Sequence, residues 1–93
     1  MGHEVRNNVD RSRYELLIDG RLAAVADYRL AEDEVVFPHT EVEPRLRGRG
    51  LGAELVRAAL EDVRGTGQRV VAHCWYVAQF IDEHPEYRDL LAA

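Results

Sequence analysis

EPRLRGRGLGAELVRAALEDVR, residues 43–64, alternates three glycines with arginine and leucine and then runs without a break into a helical pattern. Leu51, Leu55, Val56, Ala59, Leu60 and Val63 recur at the spacing of one helix face, while Glu54, Arg57, Glu61 and Arg64 fall on the other. Gly65-Thr66-Gly67 supplies the stop. Upstream, VVFPHTEVE at 35–43 reads as a strand with Val36, Pro38, Thr40 and Val42 on one side and Val35, Phe37, His39, Glu41 and Glu43 on the other. Pro38 has no amide to donate, so an edge, bulge or opening is expected there. Downstream, RVVAH at 69–73 reads as a short buried strand, and a second helix is expected over about 76–83, ending before Pro85. Two strands joined by a helix imply a right-handed parallel crossover. Before this unit, RYELLI at 13–18 and RLAAVADYRL at 21–30 flank Asp19-Gly20, a pair suited to a type I′ hairpin. The expected fold class is α/β (α+β): an antiparallel hairpin and meander, then strand, helix, strand, helix, in one domain over 1–93.

A strand, a glycine-rich turn and a helix start leave several backbone amides pointing into one concavity, where the helix dipole adds positive potential. Gly48, Gly50 and Gly52 allow close approach of an anion, and Arg45, Arg47 and Arg49 surround the turn with charge. The stretch therefore predicts a phosphate site. It is not a P-loop, which requires Lys followed by Ser or Thr, and the glycine spacing differs from the dinucleotide fingerprint.

Composition limits what the phosphate belongs to. At 93 residues, with 46% hydrophobic and 31% charged residues, the chain makes a small core that buries about 60–65% of the unfolded surface. A net charge of -5 opposes general nucleic-acid binding, and one Arg/Gly run is too little for RNA. All 12 Lys-or-Arg positions are arginine. The single cysteine, Cys74, excludes an internal disulfide, and His3, His39, His73 and His84 sit at no metal-ligand spacing, so no metal is expected. With no apolar run near 20 residues and no signal-peptide pattern at MGHEVRNN, a cytoplasmic protein without membrane contact is expected.

Arg47-Gly48-Arg49-Gly50-Leu51-Gly52 matches the (Gln/Arg)-x-x-Gly-x-(Gly/Ala) signature of the GNAT acyltransferase superfamily, and the order of elements around it is similar. HTEVEP before the loop and CWYV…HPEY after it resemble a small single-domain GNAT-like subfamily of N-acetyltransferases. The resemblance covers roughly 35–91 by motif. It implies acetyl-coenzyme A as cofactor, with its pyrophosphate on the amides of Arg47, Gly48, Arg49, Gly50, Leu51 and Gly52. Its pantetheine arm would lie between residues 37–42 and 70–74, touching Val42, Cys74 and Tyr76. Longer relatives carry extra helices and strands that build the acceptor pocket, so the acceptor site here is expected to be shallow. Many also carry a proton-returning tyrosine where Phe80-Ile81 stand here; Tyr76 and Tyr87 are the substitutes on offer.

Acyl transfer to an amine needs a base near the thioester and a donor for the developing oxyanion. Glu41 and His39, on one strand face, are the candidate bases. Cys74, at a strand end before a helix, is a candidate nucleophile or a lining residue of the thioester pocket. Trp75 and Tyr76 pack over the adenine, the pantetheine or the core. The sequence thus predicts an acetyl-coenzyme A dependent N-acetyltransferase acting on a small-molecule or protein amine. A cationic acceptor is expected from the acidic residues Glu32, Asp33, Glu34, Glu41 and Glu43. The alternative is a weakly catalytic or non-catalytic acyl-coenzyme A binding module that senses the cofactor or docks on a partner.

Overall fold

The computed structural model describes residues 2–92. Five strands form one mixed sheet in the order β1-β2-β3-β4-β5: β1 (His3–Asn8), β2 (Arg13–Ile18), β3 (Arg21–Ala31), β4 (Glu34–Val42) and β5 (Arg69–Ala72). The first three joins are antiparallel and the last is parallel. Helix α1 (Leu51–Thr66) connects β4 to β5, and α2 (Trp75–Glu83) follows β5. This mixed α/β architecture is the one the sequence predicts. Strand β1 is an addition, because HEVRNN holds a single apolar side chain, Val5, and gives no alternation to read.

Asp19 (φ 51°) and Gly20 (φ 83°) both adopt positive φ, as a type I′ turn requires. The next turn is tighter than expected: β3 runs on through Ala31, and the chain reverses at Glu32 and Asp33. Helix α1 continues through Gly65 and Thr66 and stops at Gly67, whose φ of 79° forms the left-handed cap.

Both helices pack on the same side of the sheet. Leu55, Val56, Ala59, Leu60 and Val63 of α1 and Val77, Phe80 and Ile81 of α2 join Tyr14, Leu16, Ala24, Ala26, Phe37 and Val70 in one buried cluster. Tyr87 and Leu90 fold back into it, and Leu91 bridges to Val70. On the other face, Leu17, Val25, Val36 and Val71 take no part in that cluster. There Glu15, 2% exposed, is held by Arg6, Asn8 and Arg13 at 2.7–3.1 Å.

The alternation expected along β4 is corrected at Pro38. His39 pairs with Asp27 and Val36 with Arg29, so Tyr28 alone of β3 faces two residues of β4, Phe37 and Pro38. This bulge shifts the side-chain period by one. Val35 and Phe37 join the helix-side cluster, and beyond the bulge Thr40 and Val42 continue that side, opposite Ala26 and Ala24. His39 and Glu41 share a face as expected, but it is the face away from the helices and from Phe37.

Candidate functional site

The bulge decides where the sheet opens. Parallel pairing of β4 with β5 ends at Phe37 and Ala72, although β4 continues to Val42. Cys74 then donates its amide to the Phe37 carbonyl at 2.8 Å and turns the chain into α2. Residues 38–42 are thus left without a β5 partner along one edge. The expected gap between 37–42 and 70–74 is therefore shorter, because Phe37, Val70 and Val71 are zipped together and the opening begins beyond them.

A cleft of about 680 Å³ occupies this opening, lined by 38–42, Leu46, Arg47, Gly48, Gly50, Leu51, Gly52 and 74–76. It brings together His39, Glu41, Val42, Cys74, Tyr76 and most of the glycine loop. Arg49 is not in the lining, and neither is Arg45, which extends into solvent and pairs with Glu43 at 3.4 Å. Arg47 folds back, its Nε donating to the Val42 carbonyl at 3.3 Å, and ties the end of β4 to the loop.

The loop is shaped for an anion. Gly48 (φ 83°) and Gly50 (φ 77°) take conformations that side chains disfavour, and Gly50 caps α1 without any side-chain acceptor for the first amides. A Cβ at Gly52 would stand 2.8 Å from the Tyr76 hydroxyl and 3.0 Å from its ring. A side chain at that position would have to push the Tyr76 ring aside, so the first turn of α1 presents bare backbone beside a phenol. These features fit a pyrophosphate.

Cys74 is 8% exposed and is the N-cap residue of α2. Its thiol donates to Thr40 Oγ1 at 3.5 Å; when the sulfur ionises the hydroxyl can reverse and donate to it. Burial opposes that ionisation, but Thr40 and the nearby amides of Val77, Tyr76 and Thr40 outweigh it and hold the thiol below its ordinary value. Thr40, which faces Cys74 only because of the bulge, enters the sequence reading as a strand residue on the opposite side from Phe37 and not as a site residue. Burial, together with the Glu83 charge, raises the Tyr76 phenol, which therefore keeps its proton. Tyr87 is removed from the site: it lies in the core, donating to Glu61 at 2.6 Å and accepting from Arg57 at 3.1 Å. Phe80 is likewise buried, stacked on His84.

His39 Nε2 lies 3.2 Å from Glu41 Oε1, with side chains 56% and 59% exposed. The two form one hydrogen-bonded pair at the open side of the cleft. Trp75 also lines the cleft, 72% exposed and edge-on to Tyr76. Glu32, Asp33 and Glu34 do not flank this site, since they stand at the far end of β4, about 23 Å from Glu41 at the rise of an extended strand. Among the described residues no group of His, Cys, Asp and Glu is arranged to hold a metal ion, and no helix is long and apolar enough to cross a membrane.

A family model described as GCN5-related N-acetyl-transferase matches residues 13–90. The chain is 43% identical over 63 residues to the protein NATD1 of Bos taurus, a stretch covering 67% of this chain and 56% of that protein. It is 32% identical over 88 residues to NATD1 of Mus musculus, covering 90% and 80%. The alignment thus spans a little over half the length of the Bos taurus protein. Among solved structures, it is similar to a solution structure from Staphylococcus aureus described as GCN5-like, with a TM-score of 0.73 at 22% identity over 97% of this chain and 88% of that one. The crystal structure of the ribosomal-protein-S18-alanine N-acetyltransferase from Escherichia coli gives 0.65 at 18% identity, over 90% and 54%. At such identities the structural likeness is one of fold.

Proposed function

The chain belongs to the GCN5-related N-acetyltransferase family, and from that premise we propose that it transfers an acetyl group from acetyl-coenzyme A to an amine within the cleft between β4 and α2. The observation that carries the reading is the Gly48–Gly52 turn: positive φ at Gly48 and Gly50, an uncapped helix start and a Gly52 on which the Tyr76 phenol packs where a Cβ would stand. These amides, with Arg47, would hold the pyrophosphate, and the free edge of β4 at Thr40 and Val42 would pair with the pantetheine arm. The bound thioester supplies an activated acetyl group. The chain's own residues position it and manage protons. Glu41 accepts a proton from the incoming ammonium and shares it with His39 at 3.2 Å, from which it passes to water. On the helix side of the cleft, Cys74 and Tyr76 are the proton-bearing side chains available to the departing sulfur. Per turnover, one amide forms, one thiol is released and one proton leaves.

A second reading, a coenzyme A binding module without efficient catalysis, is favoured by Phe80 and Ile81: both are buried and offer no proton where relatives carry a tyrosine. Free-thiol release on mixing acetyl-coenzyme A with amines separates the two. Thiol release that requires an amine, with Glu41→Gln lowering kcat by about 10²-fold and leaving coenzyme A binding unchanged, is the expected result. Binding without thiol release from any amine would leave the sensor reading in place.

A further inference from the structure

The sheet has a second irregularity, and no step of the acetyl-transfer reading uses it. Leu16 pairs with Ala24 and Leu17 with Leu22, so Ala23 of β3 is an extra residue without a partner on β2. A hollow of about 220 Å³ lies over this stretch, and its apolar lining is Leu22, Ala23, Ala24, Val25 and Pro44. Leu22, opposite the buried Leu17, is itself 48% exposed. The hollow is distinct from the cleft but meets it at one residue, because Glu41 lines both. Val25 stands directly opposite Glu41 across the β3–β4 ladder, which puts their Cβ atoms about 5 Å apart. Two residues further on, the Glu43 amide donates to the Ala23 carbonyl at 2.8 Å and ties the hollow to the end of β4. Glu41 thus stands between two bulges: the one at Pro38 opens the cleft, and the one at Ala23 borders an apolar hollow.

A molecule whose nitrogen reaches Glu41 can set an apolar group in this hollow while staying on the sheet surface. Such a group strips no lone charge of water there, because Arg13 and Glu43, also in the lining, are already tied to Glu15 at 2.7 Å and to Arg45 at 3.4 Å. Covering Leu22 and Val25 removes apolar surface from water on both partners. We propose that the hollow is a specificity subsite for a branched apolar group joined to the reacting nitrogen by about two carbon atoms, with Leu22 and Val25 as the specificity-determining residues. The inference rests on the acetyl-transfer reading and adds to it a site outside the cleft. It sorts acceptors by their apolar end and not by their amine, so a chain that is polar at this position, such as a polyamine, gains nothing from it.

Isoamylamine has this spacing, and its analogue with one terminal methyl replaced by a hydroxyl keeps the shape while losing the apolar end. In steady-state transfer KM for isoamylamine should be about tenfold lower than for the analogue, at similar kcat. Leu22→Ser should raise KM for isoamylamine about fivefold and leave KM for the analogue and for acetyl-coenzyme A within about twofold; Val25→Thr, which keeps the side-chain shape, should act in the same direction. Leucinamide offers the same spacing and tells a peptide amino terminus from a free alkylamine. Amide shifts of Leu22, Ala23 and Val25 in the labelled protein, with coenzyme A saturating, read occupancy without turnover: isoamylamine should move them saturably and the analogue much less. Equal KM values for the two amines, or turnover of isoamylamine with no shift in the hollow, would overturn the proposal. Saturable shifts in the hollow without thiol release from any amine would defeat the acetyl-transfer reading and leave the subsite; thiol release without preference for the apolar amine would do the reverse.

Discussion

Gly52 and Tyr76 hold the most informative contact in the molecule at the scale of single residues. Alanine at position 52 gains about 1 kcal/mol of helix propensity over glycine, but its Cβ would press on the Tyr76 hydroxyl at 2.8 Å and displace the phenol into the cleft. Gly52→Ala should therefore keep or raise thermal stability while weakening coenzyme A binding about tenfold, and Tyr76→Ala on that background should restore part of it; calorimetric titration of the three variants checks this. Gly50→Val meets no neighbour and fails for a different reason, its φ of 77°. Cys74 divides two chemistries. If it lines the pocket, Cys74→Ala keeps cofactor binding and part of the turnover. If it carries acetyl, intact-protein mass measurement without acceptor shows a labile adduct that the variant lacks. The count is simple because no lysine is present to be acetylated. Glu15 gives the clearest pH prediction. Burial works against its charge, but hydrogen bonds from Arg13, Asn8 and Arg6 outweigh it, so the folded carboxyl lies below the ordinary 4.5. The stability this contributes is complete above the unfolded value and is lost as pH falls through the folded one. Glu15→Gln should flatten the acid limb of the stability curve below about pH 4.5 and leave the neutral arm parallel, as measured by urea unfolding.

Among the elements, β4 carries the function because it is irregular. Pro38 announces an irregularity in the sequence, since a missing amide cannot close a ladder, but nothing in VVFPHTEVE says on which side of the proline the side-chain period shifts. That depends on the partner strand, where Tyr28 alone faces two residues. For this reason the pairing of His39 with Glu41 was readable from spacing, while the contact of Thr40 with Cys74 was not. Helix α1 and the Asp19-Gly20 hairpin were readable because local chemistry suffices for them: a six-residue apolar stripe and two positive-φ positions. Strand β1 was not, because its stability comes from pairing along β2 and not from its own side chains. Deleting Pro38 leaves one β4 residue opposite Tyr28 and a regular ladder without changing which face Thr40 and Glu41 occupy. The deletion variant should fold with an undiminished melting temperature yet lose coenzyme A binding by at least about tenfold, because the strand no longer diverges from β5. A variant that binds normally would detach the bulge from the cleft.

For the whole molecule, a single helical layer on a five-stranded sheet leaves little spare core. Leu60, fully buried between α1 and the sheet, should cost about 3 kcal/mol as Leu60→Ala, enough to bring a 93-residue domain close to its unfolding limit. Ligand binding then matters for stability. Coenzyme A at 100 times its Kd adds about 2.7 kcal/mol, which raises the melting temperature of a domain this size by more than about 10 °C. Because phosphates meet Arg47 in a chain of net charge -5, that protection should fall with salt more steeply than protection by bare pantetheine. The central claim is that the cofactor lies along β4 and the Gly48–Gly52 turn, and amide chemical-shift mapping of the labelled protein during titration with coenzyme A tests it most directly. The account predicts large saturable shifts at Thr40, Val42, Gly48, Gly50, Leu51 and Gly52, reduced in Arg47→Ala, with little change at Glu32, Asp33 or along β1. Shifts confined to β1 or to the Glu32–Asp33 turn, or none at millimolar coenzyme A, would contradict it.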